Sequence, residues 1–302
     1  MVQRAGFALR QGVFSPREIG EAADVIEKTR NISDIFVPDG RSGYEAIEIA
    51  SSILSRTARV RAGTGVIRLL EHDLVLLTRR IQTLQGFYSN RFVLGVGKGT
   101  PAPQPGMSLM ATVQKIEELK KSFQSFPSGV HSPQVYIAAL RSGIAKRSIG
   151  KVDGLLLNFC SPSHAARLIE SLKGQMAAPI EFACYLKTFY SSENDETAQR
   201  LLVQEFLNYD SAPQYHEMFI QDGTAGAISK FQKNDEWRNR SFETPRELLS
   251  VSLANPSEKD LHDHLGRFRR AGITLPVIYP YFPNDEKSEF KLEMVKRILK
   301  ST

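Results

Sequence analysis

Residues 59–67 read RVRAGTGVI and residues 91–100 read RFVLGVGKGT, with an amphipathic helical pattern between them. Each apolar run predicts a strand that carries glycines at its carboxyl end. A strand, a helix and a second strand in this order predict a βαβ unit of a parallel sheet. Because glycine has no side chain, these strand ends can approach a flat ligand closely. The stretch therefore predicts the floor of a ligand site.

The rest of the chain repeats this alternation of apolar runs and helical patterns. Eight apolar runs alternate with helical segments, an order that predicts a (β/α)8 TIM barrel with its functional residues at the carboxyl ends of the strands. The predicted strands are Ala5–Leu9, Asp34–Pro38, Val60–Ile67, Phe92–Gly97, Val135–Leu140, Asp153–Phe159, Ile180–Phe189 and Leu275–Tyr281.

The segment 209–255 interrupts the alternation after the seventh strand. It is rich in aromatic residues and in Asn, Gln and Glu, with Tyr209, Tyr215 and Phe219 among the aromatics. Long connections in compact domains are commonly functional. We therefore predict a helical insertion that covers the active site and selects the substrate, within a single domain that spans residues 1–302.

Composition excludes several classes of protein. The formal net charge is +6, but the basic residues are scattered through helical segments, so we predict neither a nucleic-acid partner nor a membrane partner. No run of eighteen apolar residues occurs, which favours a cytoplasmic protein acting on a small molecule. Cys160 and Cys184 lack the spacing of a metal site, and we predict two buried thiols, no disulfide and no metal.

Two loops have the chemistry of a phosphate site. Gly97, Lys98 and Gly99 offer backbone N–H groups and one cation, while the segment from Ala139 through Arg141, Ser142 and Gly143 leads into a short helix. We predict that both loops hold a phosphate, with Lys98 or Arg141 as the point charge; the alternative is that both cations are simply solvated. A dinucleotide fingerprint is excluded because TPAPQPG, not a helical pattern, follows the glycines.

Several of these motifs resemble one family in the same order along the chain. They are similar to the luciferase-like flavin and deazaflavin oxidoreductases, and in particular to the coenzyme F420-dependent members such as methylene-tetrahydromethanopterin reductase. The motifs are residues 57–67, 90–99, 136–140, 152–158 and 255–258.

The resemblance implies a coenzyme F420-dependent oxidoreductase that forms a homodimer. Such an enzyme moves a hydride between the deazaflavin and a small organic substrate, of which a methylene-tetrahydromethanopterin-like one-carbon carrier is one class. Two alternatives stay open: an FMN-dependent luciferase-like monooxygenase, and a non-catalytic flavin-binding homologue.

The resemblance also implies roles for individual residues. Gly65 and Val66 match a bulge with a non-prolyl cis peptide that presses on the cofactor ring in the F420 branch. Asp39 matches an acidic residue at the cofactor, and Asn158 lies where a cofactor contact is expected. His72 is a candidate titratable group, with a structural role under its loop as the alternative.

Two positions depart from the pattern of the F420-dependent relatives. Gly40 stands where such relatives carry a histidine beside the acidic residue, and Thr100 stands where some sugar-phosphate dehydrogenases carry a glutamate. The first departure removes a proton acceptor. Together they argue against a sugar-phosphate dehydrogenase.

Overall fold

The computed structural model describes residues 4–40, 43–98 and 109–302. Twelve helices and ten strands are assigned within these ranges. The strands are β1 (Ala5–Ala8), β2 (Ile32–Val37), β3 (Arg61–Thr64), β4 (Ile67–Arg68), β5 (Phe92–Gly97), β6 (Gln134–Ala138), β7 (Gly154–Asn158), β8 (Glu181–Phe189), β9 (Leu253–Ala254) and β10 (Leu275–Tyr281). The helices are α1 (Pro16–Glu27), α2 (Ala46–Arg56), α3 (Leu74–Phe87), α4 (Leu109–Ser122), α5 (Ser142–Ser148), α6 (Pro162–Glu170), α7 (Asp195–Asp210), α8 (Pro213–Gln221), α9 (Ala225–Lys233), α10 (Arg246–Leu249), α11 (Glu258–Arg270) and α12 (Ser288–Lys300).

Eight of the strands close into a parallel barrel. The order around the barrel is β1, β2, β3, β5, β6, β7, β8 and β10, and β10 pairs with both β8 and β1. The predicted TIM barrel is therefore confirmed. The third predicted strand, Val60–Ile67, is divided into β3 and β4, whereas both ends of each of the other seven lie within two residues of the prediction.

Local sequence signals explain where the surrounding helices begin. Ser15 accepts a hydrogen bond from the backbone N–H of Glu18, and the Glu18 carboxylate accepts one from the Ser15 N–H, with Pro16 in the first turn. Ser257 and Asp260 form the same reciprocal pair at the start of α11. Such capping satisfies N–H groups that would otherwise lack partners at the helix start.

After the seventh barrel strand, α7 leads into the predicted insertion 209–255, which carries α8, α9 and α10. Helix α11 contacts β10, α6 and α12, so it is the helix that completes the outer ring at this point. Helix α7 instead contacts β8, β9, α8 and α9. Tyr215 and Phe219 of α8 are buried and pack with Phe159 and Phe206 in one aromatic cluster.

The amino-terminal end of the barrel is closed by charged groups rather than by apolar ones. Arg4 contacts Asp34 at 3.0 Å and Glu181 at 3.1 Å, and Arg61 contacts Asp34 at 2.5 Å. The Tyr136 hydroxyl donates a hydrogen bond to Glu181. Buried charges are tolerated when they are paired in this way.

Large side chains from opposite strands fill the middle of the barrel. Phe36 of β2 contacts Tyr136 of β6 and Tyr185 of β8, with ring centroids 6.0 and 6.3 Å apart. Since these strands are not neighbours in the sheet, their rings meet in the barrel interior. The Tyr136 ring packs over Gly154 of β7, where a Cβ would lie 2.7 Å from the ring.

Replacing Gly95 by alanine should strongly destabilise the barrel. A Cβ at this position would overlap the carbonyl oxygens of Thr64 and Gly65, which are backbone atoms and cannot rotate away. We expect G95A to lower the free energy of unfolding by about 3 kcal/mol or more. Chemical denaturation measures this change.

The matched control is G226A in α9, where no atom would lie within 4 Å of the added Cβ. This variant should be neutral or stabilise by up to about 1 kcal/mol. Similar losses in both variants would contradict the analysis.

Candidate active site at the carboxyl ends of the strands

The predicted site residues follow several different strands of the barrel. Because all the strands are parallel, their carboxyl ends lie at one end of the barrel, which we call the mouth. Asp39 follows β2, Gly65 and Val66 separate β3 from β4, and Lys98 follows β5. Arg141 and Ser142 follow β6, and Asn158 ends β7. The barrel thus brings together residues that are far apart in the sequence.

The chain bulges where β3 gives way to β4. Gly63 pairs with Val93 and Ile67 with Val96, so three residues of one strand lie opposite two of the next. A bulge of one extra residue has this register. The Thr64 hydroxyl fixes it, because it accepts a hydrogen bond from the Gly95 N–H and donates one to the Gly95 carbonyl, both at 2.9 Å.

The peptide bond predicted to be cis is trans. No peptide bond among the described residues is cis, including Gly65–Val66, so that implication of the resemblance is wrong. The extra residue of the bulge accommodates the change in register with a trans bond. The Gly65 N–H donates to the Val37 carbonyl at 2.6 Å, which holds the bulge against β2.

Gly65 is packed too closely for any other residue. A Cβ there would lie 2.5 Å from the Tyr185 hydroxyl and 2.8 Å from the Pro38 Cα. The Tyr185 hydroxyl is buried and has no hydrogen-bond partner among the described residues. Tyr185 therefore reaches across the barrel to the bulge, and its hydroxyl is a hydrogen-bonding group that a ligand at the mouth could use.

Asp39 lies beside an arginine that also holds its loop. Arg68 contacts the Asp39 carboxylate at 3.3 Å, donates to the Gly40 carbonyl at 3.0 Å and pairs with Glu71 at 2.7 Å. Burial raises the pKa of Asp39 above its normal value; Arg68 opposes this shift, while Glu45 and Glu71 add to it. A carboxyl group with a raised pKa is suited to exchange a proton.

His72 lies outside the mouth proper, in the loop before α3. Burial lowers its pKa below the ordinary value; Glu45 and Glu71 oppose this shift, while Arg80 and Arg68 add to it. Asp73, not His72, caps α3 by accepting from the Leu76 N–H at 2.8 Å. Lys115 of α4 donates to the His72 carbonyl at 2.7 Å. A catalytic role for His72 stays a prediction.

The second phosphate loop is only partly free to bind an anion. The Ala139 N–H donates to the Leu156 carbonyl at 3.1 Å, so it is already used within the sheet. The Arg141 side chain pairs with Glu217 of α8, and both side chains are half exposed. Ser142 and Gly143 form the first turn of α5, whose start has no side-chain cap. Their backbone N–H groups are the donors that this loop offers.

The first phosphate loop lies partly outside the described residues. Lys98 is exposed directly after Gly97, the last residue of β5. Gly99 and Thr100 fall outside the described ranges.

Asn158 has one used and one unused polar atom. Its Nδ2 donates to the Tyr215 hydroxyl of α8 at 2.7 Å, and its buried Oδ1 has no hydrogen-bond partner in the part of the chain that the structure describes. An unpartnered buried acceptor costs free energy and is typical of a site that receives a donor from a ligand. Asn158 is therefore placed by the insertion as well as by β7.

A buried lysine that the sequence analysis missed lies at the same end of the barrel. Lys187 of β8 is fully buried and forms an ion pair with Glu205 of α7. Its Nζ lies 3.8 Å from the ring centroid of Tyr209, with three further rings, Phe159, Tyr281 and Tyr279, at 4.6, 5.0 and 5.6 Å. Cation–π contacts of this kind stabilise a desolvated ammonium group. A single lysine in the apolar run 180–189 was the available signal.

Arg10 is a second cation that the sequence analysis did not single out. It follows β1, is exposed, and donates through Nη1 to the Tyr281 hydroxyl at 3.0 Å. Burial would lower its pKa, but the nearby Tyr279, Tyr281 and Glu205 raise it above normal. The guanidinium is therefore always charged at the mouth.

A separate cleft of about 650 Å³ lies between α7 and the segment before α10. Gln199, Phe242, Thr244, Leu249 and Ala254 are among the residues that line it. None of the predicted site residues contributes to its lining.

The two cysteines lie close together behind β7. The Cys160 and Cys184 sulfur atoms are 3.8 Å apart, and both are buried and free. Among the described residues, no group of three or more His, Cys, Asp or Glu side chains is arranged to hold a metal ion. No helix of the described residues is both long and apolar enough to cross a membrane.

Residues 2–119 match the family described as luciferase-like monooxygenase. The resemblance found in the sequence is confirmed. No curated protein is a match in sequence.

Solved structures of luciferase-like enzymes share the whole fold at low identity. An F420-dependent secondary alcohol dehydrogenase, solved with an F420–acetone adduct, is 14% identical with a TM-score of 0.76; the alignment covers 100% of this chain and 99% of that one. The F420-dependent tetrahydromethanopterin reductase of Methanopyrus kandleri is 15% identical with a TM-score of 0.71 and the same coverage.

An FMN enzyme shares the fold as well. The oxygenating constituent of 3,6-diketocamphane monooxygenase from Pseudomonas putida, in complex with FMN, is 13% identical with a TM-score of 0.63 over 100% of this chain and 98% of that one. At such identities the likeness is evidence of the luciferase-like fold alone.

The pKa of Asp39 should respond in opposite directions to its two charged neighbours. Carbon-detected NMR titration should give a value above the ordinary 3.8 in the wild type. R68M should raise this value further because a cation is lost, and E71Q should lower it because an anion is lost. Equal shifts in both variants would contradict the assignment.

The sign of the linked stability follows from the same shift. A raised folded-state pKa means that Asp39 contributes stability below its unfolded pKa and loses this contribution as the pH rises through the folded value. D39N should therefore remove a fall in stability that begins near the ordinary pKa of 3.8, and denaturant unfolding at a series of pH values measures this change.

Proposed function

We propose that this chain is a coenzyme F420-dependent oxidoreductase that transfers a hydride between the deazaflavin and a small organic substrate. The observation that carries the proposal is the cradle at the bulge, where Gly65 presents bare backbone packed against Tyr185 and two buried polar atoms, Asn158 Oδ1 and Tyr185 Oη, lack partners among the described residues. A flat heterocycle with polar edges fits such a cradle. Two observations support the choice of F420. The sequence motifs resemble those of the F420-dependent branch, and the net charge of +6 favours a cofactor with an acidic tail.

Different residues of the mouth would contact different parts of such a cofactor. The bulge at Gly65 and Val66 would support one face of the ring, and Asn158 Oδ1 would accept a hydrogen bond from its edge. Lys98 and the N–H groups of Ser142 and Gly143 would hold the phosphate. When bound, the deazaflavin supplies the hydride acceptor or donor.

Asp39 is the residue that we propose to handle the proton. A hydride taken from or given to an oxygen-bearing carbon changes the charge on that oxygen, which therefore loses or gains a proton. Burial raises the pKa of the Asp39 carboxyl, and Arg68 holds the group in place at the mouth. Gly40 offers no side chain that could take over this role.

We also propose a cytoplasmic homodimer that contacts its neighbour through α2 and α3. Val75, Leu76 and Phe87 of α3 are large apolar side chains with more than half of their surface exposed. Sizeable exposed apolar surface is typical of an interface between subunits.

Cofactor titration tests the proposed class of enzyme. The purified protein should quench the fluorescence of F420 on binding, and K98A should weaken the affinity by about tenfold because one charge-assisted hydrogen bond is lost. E217Q should strengthen the affinity if Arg141, once released from its ion pair, reaches the phosphate. K146A, at the far end of the short helix α5, is the matched control and should leave the affinity unchanged. Binding of FMN without F420, together with oxygen consumption, would select the monooxygenase instead.

Substitution of Asp39 tests the proposed chemistry. In the F420-loaded enzyme, D39N should lower kcat for an alcohol or carbonyl substrate by about a hundredfold or more, with unchanged cofactor affinity. D24N, on the exposed surface of α1, should leave kcat unchanged. An unaltered kcat in D39N would remove Asp39 from the chemistry, as expected for reduction of an iminium-like methylene group, which needs no base. Tight binding without turnover across a substrate panel would favour a non-catalytic homologue.

A further inference from the structure

The first barrel strand ends in an arginine that the proposed function does not use. Gly6 of β1 pairs with Val277 of β10, and the same register continued by four residues brings Arg10 beside Tyr281. The turn after Arg10 is tight, since its carbonyl accepts from the Phe14 N–H at 3.0 Å and Gly12 has a φ of 84°. The backbone therefore fixes where this side chain leaves the strand.

The Arg10 guanidinium is held in place but remains accessible. Nη1 donates to the Tyr281 hydroxyl at 3.0 Å, and the guanidinium carbon lies 5.4 Å from the centroid of the same ring. Arg10 itself is exposed. A guanidinium carries five N–H donors in a planar fork, so one hydrogen bond orients the group and leaves donors for a ligand.

The carboxylates of the mouth are already committed to other cations. Glu205 pairs with Lys187, and Asp39 pairs with Arg68. Within the described ranges, no carboxylate oxygen lies within 4.0 Å of Arg10. The Arg10–Lys187–Glu205 group therefore has one positive charge in excess, and that charge sits on the accessible member.

A buried polar side chain follows Arg10 in the sequence. Gln11 is buried, and neither its Nε2 nor its Oε1 has a hydrogen-bond partner among the residues that the structure describes. Its Oε1 packs against Gly43, in the loop that follows Asp39, where a Cβ would come within 2.7 Å. The buried carboxamide thus packs against the loop that follows Asp39.

We propose that Arg10 binds a carboxylate of the substrate, with the Gln11 amide as a second donor, so that the enzyme acts on an organic acid. This inference rests on the proposed function for its reaction but not for its binding site. A carboxylate matches the planar fork of arginine and supplies the negative charge that the Arg10–Lys187–Glu205 group needs. An acid held at Arg10 would have its uncharged part free to extend towards Asp39.

Ligand-observed NMR on the cofactor-free protein tests the binding site. The probes are hexanoate and benzoate, each paired with its neutral amide, and inorganic phosphate. The wild type should bind both carboxylates and neither amide. R10M should weaken carboxylate binding by about tenfold or more, and R10K should give an intermediate loss because it keeps the charge but not the fork. R79M on the outer face of α3 is the matched control and should bind as the wild type does, and circular dichroism checks that each variant is folded.

The possible outcomes separate this inference from the proposed function. Unchanged carboxylate binding in R10M, equal binding of amides, stronger binding of phosphate, or no carboxylate binding by the wild type would each overturn the role of Arg10. Y281F should weaken binding less than R10M, because it removes only the group that positions the guanidinium. A protein that binds carboxylates through Arg10 but neither F420 nor FMN would retain the acid site and lose the proposed cofactor.

Discussion

The close approach of β3 to β5 is the constraint on which the mouth depends. A Cβ at Gly63 would overlap the Val93 carbonyl, and a Cβ at Gly95 would overlap the carbonyls of Thr64 and Gly65. Only glycine permits this spacing, which brings the bulge inward and lets the Tyr185 ring reach it. One side of the barrel is thus lined by backbone and the other by large rings. A flat ligand at the mouth would meet backbone on the first side and polar or charged side chains on the second.

The second constraint is the cost of placing charge at the end of a closed barrel. A fully buried ammonium group would be strongly destabilising without compensation. Lys187 avoids this cost because Glu205 neutralises it and four aromatic rings surround it. Both Glu205 and Tyr209 come from α7, so the helix that leads into the insertion is part of the electrostatics of the mouth. Without α7, this lysine would lose the carboxylate that neutralises it.

The sequence predicts the barrel well because each buried parallel strand is a nearly continuous apolar run. It predicts the bulge only through resemblance, since nothing in the letters AGTGVI states that three residues will face two. The trans geometry of Gly65–Val66 and the use of the Ala139 N–H depend on register, which the pattern does not determine. Lys187 and Glu205 are eighteen residues apart and meet only after α7 folds back over the mouth. No local sequence pattern singles out Arg10, because its partner Tyr281 is almost a whole chain length away.

The arrangement of charges suggests how binding and chemistry are kept apart. Asp39 and Arg68 form one pair on the β2 and β4 side, while Arg10 lies on the β1 and β10 side with Glu205 drawn towards Lys187. If Glu205 were released from Lys187, it could approach Arg10 and compete with an anionic ligand. The aromatic rings stabilise the lysine, and the ion pair with Lys187 holds the carboxylate of α7. Arg10 and Lys187 share one internal carboxylate, Glu205. If Glu205 neutralised Arg10, the arginine would no longer attract an acid, so the site needs Glu205 to stay paired with Lys187.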